Sequence, residues 1–246
     1  MQNAGLESVG LAGWRYQQLP IPPELFDETI PALPRAGFRG VNVTIPHKHA
    51  ALALATEPSR RALAIGAANT LIFESDDRIR ADNTDAPGLI DALPFTAVGR
   101  TALVLGAGGS ARAAVWALLD AGAREVRVWN RTPERARALC VDLGSAPAPT
   151  AEPADLLVNC TSVGLDPTQD TFRSLPIDAD ELTSYECVVD LVYRDAETPL
   201  VQAARARRVP AVDGREFLVR QGVFSFEMFT GRAAPIAVMR RAAGAR

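Results

Sequence analysis

The sequence predicts an α/β protein in two parts: a doubly wound parallel sheet and a smaller, separate α/β layer. Three observations predict it. The run Thr101 to Leu105 (TALVL) is short, apolar and β-rich, and it leads straight into a glycine turn and a long alanine-rich stretch ending near Ala121. Gly122 supplies a helix stop and Glu125 to Trp129 (EVRVW) reads as the next strand, closing a βαβ unit with a right-handed crossover. Before residue 90 the texture changes to proline-punctuated helices with isolated strands.

In chain order, the first part holds the strand Gly40 to Ile45 (GVNVTI). It also holds the strand Asn69 to Phe73 (NTLIF), joined through Asp76 and Asp77 to a partner from Arg78 to Asp82. The second part continues past Trp129 with strands at Asp155 to Asn159 (DLLVN) and Cys187 to Val192 (CVVDLV), and a helical piece at Pro199 to Arg207. The last strong helix, Phe217 to Phe229, and the tail beyond it follow a completed nucleotide-type unit, so they are assigned back to the first part. The expected domains are residues 1–88 with 217–246, and residues 89–216. There is no internal repeat, and the one low-complexity patch is the alanine- and proline-rich loop Ser145 to Pro153.

Composition bounds the function. With 48% hydrophobic and 22% charged residues over 246 positions, the chain can bury a sizeable core and is neither disordered nor fibrous. A net charge of −3 gives no electrostatic reason to expect nucleic acid. The groups Arg205, Arg207, Arg208 and Arg240, Arg241, Arg246 read as solvated helix faces. No apolar run is long enough to cross a bilayer, and Met1 to Gly10 lacks the pattern of a secretory signal. Cys140, Cys160 and Cys187 are odd in number and far apart, as reduced thiols would be. The expectation is a cytoplasmic monomer or homodimer acting on a small molecule. His47 and His49 have no third ligand nearby, so no metal is expected.

Between those histidines stands Lys48, the only lysine in the chain; the other 25 cationic side chains are arginine. A guanidinium stays protonated under nearly all conditions, whereas an ε-ammonium is a compact donor able to give up a proton. Lys48 is therefore a candidate proton-transfer residue. Drift toward arginine in a GC-rich genome explains its uniqueness equally well.

Gly106, Gly108 and Ala111 fit G-x-G-x-x-G/A after a strand and at a helix start, and Ala107, Gly109 and Ser110 fill the turn. Glycines there let the backbone approach a pyrophosphate, and the helix N-terminus points free N–H groups at the anion. The end of the next strand, where an NAD site places an acid, carries Asn130, Arg131 and Thr132, with Arg135 one turn on. Two guanidiniums can neutralise a 2′-phosphate, and Thr132 can donate a hydrogen bond to it while capping the following helix. The expected cofactor is NADP.

With these pieces placed, Asn42-Val43-Thr44-Ile45-Pro46-His47-Lys48, Gly66-Ala67-Ala68-Asn69-Thr70 and Asn83-Thr84-Asp85 resemble three signatures of the shikimate dehydrogenase family. Gly106 to Ala111 is similar to its glycine turn and Asn130-Arg131-Thr132 to its NADP clamp. Asn159-Cys160-Thr161-Ser162-Val163-Gly164 matches its Asn-Ala-Thr-Ser-Val-Gly segment, Asp190 to Tyr193 its Asp-x-x-Tyr strand end, and Gly214 and Gln221-Gly222 complete the series. The resemblance covers nearly the whole chain. It implies a Rossmann-like NADP domain beside a substrate domain. The implied reaction is the reversible reduction of 3-dehydroshikimate to shikimate in aromatic amino acid biosynthesis, with Lys48 and Asp85 as the dyad at the reacting carbonyl. It further implies that Thr44, Asn69, Asp85, Tyr193 and Gln221 bind substrate, and that Thr161, Leu191 and Gly214 join the glycine turn and clamp at the cofactor. For Asp85 a helix-capping role stays open, as do structural roles for Tyr193 and Asn69.

The resemblance lacks its opening. The family normally begins with a strand and a Ser-x-Ser turn that grips the substrate carboxylate, followed by a helix whose asparagine Asn3 matches. Met1 falls inside that helix, so the substrate domain is expected to be N-terminally truncated, with its true start upstream. Lesser departures are Phe217 for a methionine, Ala81 for a glycine before Asn83, and Arg194-Asp195 after Tyr193. Competing readings are a quinate or aminoshikimate dehydrogenase and a catalytically impaired NADP-binding regulatory protein.

Overall fold

The computed structural model of the chain describes residues 1–75 and 78–244, so the turn expected through Asp76 and Asp77, and Arg246 of the last basic group, lie outside the described residues. The chain divides into two compact units, Met1–Gly88 with Val219–Arg246, and Leu89–Leu218.

In the first unit, in chain order, come α1 (Gln2–Ser8), α2 (Phe26–Ala32), β1 (Gly40–Asn42), α3 (Lys48–Ala53), β2 (Glu57–Pro58), α4 (Arg60–Ile65), β3 (Thr70–Ser75), β4 (Arg78–Asp82) and the start of α5 (Asp85–Ala92). Its sheet runs β1-β3-β4-β2, with β1/β3 and β3/β4 antiparallel and β2/β4 parallel. Alternation sets its faces: Leu71, Phe73, Ile79 and Ala81 point into a core shared with Phe26, Ile30 and Ala51. β1 ends at Asn42, three residues before the expected Ile45. The chain turns there instead, and the carbonyl of Thr44 accepts from the N–H of His47 at 2.9 Å.

The second unit contains β5 (Thr101–Leu105), α6 (Gly109–Asp120), β6 (Glu125–Trp129), α7 (Pro133–Leu143), β7 (Ala146–Pro147), β8 (Leu156–Asn159), α8 (Thr171–Ser174), β9 (Cys187–Asp190), α9 (Pro199–Ala206) and β10 (Ala211–Val212). All six strands are parallel, in the order β10-β9-β8-β5-β6-β7. This is the doubly wound Rossmann-like sheet that the sequence predicts. Successive residues of β5 serve opposite faces: Ala102 and Val104 join one core with Val115, Leu118 and Val128, while Leu103 and Leu105 join another with Leu157, Val188 and Leu200. A strand covered on both sides has to be an unbroken apolar run, and each fully buried Val or Leu contributes about 1.5–3 kcal/mol.

Two helices complete the chain, α10 (Gly214–Thr230) and α11 (Ile236–Ala243). Within the first unit Phe226 of α10 and Met239 of α11 pack with Leu6 of α1. The three cysteines are buried and free of disulfides, and burial pushes the Cys187 thiol up to about 11. The Arg205–Arg208 group is not simply solvated. Arg205 pairs with Glu197 and Asp213, and Arg207 pairs with Asp180 at 2.6 Å.

Candidate active site

Lys48 opens α3 and Asp85 opens α5, and their side chains meet: Nζ of Lys48 donates to Oδ2 of Asp85 at 2.5 Å. The residues are 7% and 5% exposed. The turn before Lys48 is pinned by His47, whose ring stacks on Phe26 at 4.4 Å and whose Nε2 lies 2.9 Å from the carbonyl of Ile21. His47 is thus a structural residue. Among the described residues no group of three His, Cys, Asp or Glu side chains is gathered to hold a metal ion.

Asp85 does not cap its helix. That work falls to Asn83, whose Oδ1 accepts from the N–H of Ala86 at 3.3 Å, leaving both carboxylate oxygens of Asp85 to side chains. The second donor is Asn69, whose Nδ2 lies 2.7 Å from Oδ1. Desolvating an ion pair costs several kcal/mol per ion, so an isolated buried pair adds little to stability. Hydrogen bonds that fix the carboxylate, as here, are what make such a pair a chemical tool.

Asn69 is tied down at its other end as well. Its Oδ1 accepts from the N–H of Thr84 at 2.7 Å and from the hydroxyls of Thr84 and Thr70 at 3.1 and 3.0 Å. Oγ1 of Thr84 also lies 3.3 Å from Oε1 of Gln221, on α10, an alternative acceptor for the same hydroxyl. Thr44 is exposed in the turn ahead of Lys48. Lys48, Thr44, Asn69, Asp85 and Gln221 therefore belong to one unit, while Tyr193, 55% exposed, belongs to the other. Thr84, absent from the sequence-predicted set, is the buried link in this network; its place within Asn83-Thr84-Asp85 was the available signal.

In the second unit the order of strands creates a switch point between β5 and β8, where chain connections leave in opposite directions; such a point is where α/β sheets bind ligands. Gly106 follows β5 there with φ +109°, and an added Cβ would come within 3.1 Å of the Cys160 carbonyl group and 3.3 Å of Cγ2 of Thr161. Gly108, the N-cap residue of α6, faces open space: nothing lies within 4 Å of a Cβ built on it. Gly109, Ser110 and Ala111 begin the helix, with Ala107 in the turn. A helix N-terminus with no side-chain cap and no obstruction fits a phosphate group.

Past β6, Asn130 donates to the carbonyl of Thr132 at 2.9 Å. Arg131, Thr132 and Arg135 are all exposed, and the two arginine side chains make no ion pair among the described residues. Thr132 stands at the N-cap of α7, but its side chain makes no capping bond, contrary to expectation. Its backbone is extended, with φ −103° and ψ 99°, as at an ordinary N-cap. Leu191 and Tyr193 lie just beyond β9, which stops at Asp190 rather than Val192, and Gly214 opens α10.

Three family models match the chain: the shikimate dehydrogenase substrate binding domain over residues 1–71, shikimate / quinate 5-dehydrogenase over residues 93–161, and the shikimate 5'-dehydrogenase C-terminal domain over residues 214–243. The shikimate dehydrogenase (NADP(+)) of Methylobacterium radiotolerans is 46% identical over 231 residues, spanning 88% of this chain and 80% of that one. The chain belongs to the shikimate dehydrogenase family. Another member, from Dinoroseobacter shibae, is 43% identical over 97% of this chain and 88% of its own. Among solved structures, shikimate 5-dehydrogenase from Thermus thermophilus in complex with NADP(H) and shikimate superimposes with a TM-score of 0.86. It is 39% identical and covers 99% of this chain and 93% of its own. No helix among the described residues of this family member is long and apolar enough to cross a membrane.

Proposed function

We propose that the chain catalyses the reversible reduction of 3-dehydroshikimate to shikimate with NADPH, using Lys48 and Asp85 at the reacting oxygen. The observation that carries this is the buried 2.5 Å contact between the only lysine and an aspartate fixed by Asn69, in a chain of this family. When bound, the nicotinamide supplies hydride to the carbonyl carbon. Lys48 stabilises the oxygen as negative charge develops and delivers the proton that makes it a hydroxyl. Asp85 holds the ammonium and accepts a hydrogen bond from a substrate hydroxyl. In the oxidative direction Lys48 takes the proton back.

Thr44, Asn69, Tyr193 and Gln221 supply neutral donors and acceptors suited to a polyol carboxylate. Gly106 to Ala111 and the α6 N-terminus are suited to the pyrophosphate, and Arg131, Arg135, Thr132 and Asn130 to the 2′-phosphate. Thr161, Leu191 and Gly214 complete the cofactor set. Residues 1–88 with 217–246 act as the substrate domain, and residues 89–216 as the NADP domain. The protein works as a soluble, cytoplasmic monomer or homodimer.

Incubation with NADPH and 3-dehydroshikimate, followed by nucleotide absorbance, tests the reading. Turnover is expected, and binding of NADPH without turnover would leave only a nucleotide-binding protein. Parallel assays with quinate are expected to run more slowly than those with shikimate.

A further inference from the structure

Three segments of the Leu89–Leu218 unit converge on one buried carboxylate that the reaction above does not use. Asp190 ends β9, is 0% exposed, and stands in register with Asn159 at the end of β8. Its Oδ1 accepts from Nδ2 of Asn159 at 2.9 Å and from the N–H of Val192 at 3.1 Å. Its Oδ2 accepts from the hydroxyl of Thr198 at 2.5 Å, and Thr198 is the N-cap of α9.

Asn159 passes the constraint on. Its Oδ1 accepts from the N–H and the hydroxyl of Thr161 at 3.1 and 2.7 Å, and its Nδ2 also donates to the carbonyl of Val163 at 3.3 Å. The hydroxyl oxygen of Thr161 then accepts from the N–H of Val163 at 3.1 Å. So a single carboxylate organises both the turn after β8 and the segment after β9.

Both of those segments abut glycines, where an added Cβ would be crowded at Gly106 and blocked at Gly214. Thr161 lies against Gly106, as above. At Gly214 an added Cβ would stand 2.2 Å from the carbonyl oxygen of Val192 and 2.7 Å from the N of Tyr193. Burying a carboxylate is costly unless its lone pairs are satisfied, and here every donor comes from a different stretch of chain. A side chain needed only to fill space would be apolar; one that joins three segments fixes their separation.

We infer that Asp190 is a positioning residue for the nicotinamide end of the cofactor site, holding Thr161 and the Leu191–Tyr193 segment in place through Asn159, Val192 and Thr198. The inference rests on the proposed cofactor roles of Gly106, Thr161, Leu191 and Gly214. Asp190 itself touches neither ligand.

The test compares Asp190→Ala, Asp190→Asn and Thr198→Val with the parent protein. NADPH affinity is measured by nucleotide fluorescence, kcat and both KM values by steady-state assay, and folding by circular dichroism. An asparagine keeps all three contacts, since its oxygen accepts from Asn159 and Val192 and its amide donates to Thr198. Asp190→Ala is expected to weaken NADPH and raise its KM by roughly tenfold or more, with a clearly smaller rise in the KM for shikimate, which has only Tyr193 on the segments that Asp190 holds. Asp190→Asn should restore nucleotide affinity to within about threefold, and Thr198→Val should fall between.

A folded Asp190→Ala protein with parental NADPH affinity, KM and kcat overturns the inference, as does an equal loss for nucleotide and shikimate in both disruptive variants. If Asp190→Ala does not fold, parental nucleotide KM and kcat in Thr198→Val overturn it. Failure of the parent itself to bind NADPH or to turn over shikimate would instead sink the proposed function.

Discussion

Asn69 donates to Oδ1 of Asp85 at 2.7 Å and thereby leaves the other oxygen of that carboxylate to the ammonium of Lys48. The division fixes which face of Asp85 the lysine can occupy. A carboxylate held by one donor could rotate and take its partner with it; held by two it cannot.

Lys48→Met removes the proposed proton donor and keeps a side chain of similar length. It should lower kcat by about 10²–10⁴-fold in both directions while NADPH affinity stays within about twofold. Turnover assays paired with nucleotide titration check it. A folded variant reducing 3-dehydroshikimate at the parental rate would remove Lys48 from the mechanism.

Asn69→Leu deletes the second donor to Asp85 and the acceptor for the buried N–H of Thr84. Leaving such groups unpaired costs about 1–3 kcal/mol, so urea midpoints should fall accordingly. At the same time kcat should drop by roughly tenfold or more, since Asp85 is no longer locked. Loss of stability with parental kcat would reduce Asn69 to a structural role.

Arg131→Ala should weaken NADPH by about 10–100-fold and NADH by less than about twofold, because only the former carries the 2′-phosphate that the guanidinium is proposed to meet. Binding titrations with both nucleotides decide it. Equal losses would mean that Arg131 supports the fold or the pyrophosphate rather than the discriminating group.

Burial raises the Asp190 carboxyl to about 6 from its ordinary 3.8, against the hydrogen bonds from Thr198, Val192 and Asn159 and with help from the negative charge of Asp213. Asp213 lies between the N–H groups of Arg215 and Glu216 and the guanidinium of Arg205, which also pairs with Glu197; Arg194 and Arg215 engage carbonyls of the same loop. Between pH 3.8 and 6 the folded protein thus keeps a proton the unfolded chain has released. The stability due to this group is fully present below the lower value and is lost as pH rises through the upper one. Asp190→Asn should therefore be more stable than the parent above pH 6, by up to roughly 3 kcal/mol, with the difference shrinking toward pH 4. Chemical denaturation across that range measures it. A pH-independent difference would contradict the titration.

The parts legible in the sequence were those whose signal is local. β5, the glycine turn, α6 and β6 lie within 30 consecutive residues, and short β-rich runs bracket a glycine turn and an alanine-rich helix, so they declare themselves. Lys48 and Asp85 stand 37 residues apart, and only the family resemblance brought them together. Of the Asn159, Asp190 and Thr198 cluster, the family signatures mark Asn159 and Asp190, but nothing in the sequence brings the three together. Their meeting depends on the β8/β9 register, a non-local pairing. α11 also went unread, being short and carrying Arg240 and Arg241. The strand expected to reach Ile45 failed for a local reason: Pro46 favours a turn, which the Thr44–His47 bond closes.

A chain that carries one lysine hands the experimenter a spectroscopic handle. Apart from the chain terminus, amine-directed reagents have a single target, and it lies 7% exposed beside Asp85. Reductive methylation with carbon-13 formaldehyde would install one side-chain resonance, whose chemical shift reports the protonation of Lys48 directly. Under the proposed function, shikimate should slow that labelling, turning reagent protection into a ligand assay that needs no turnover.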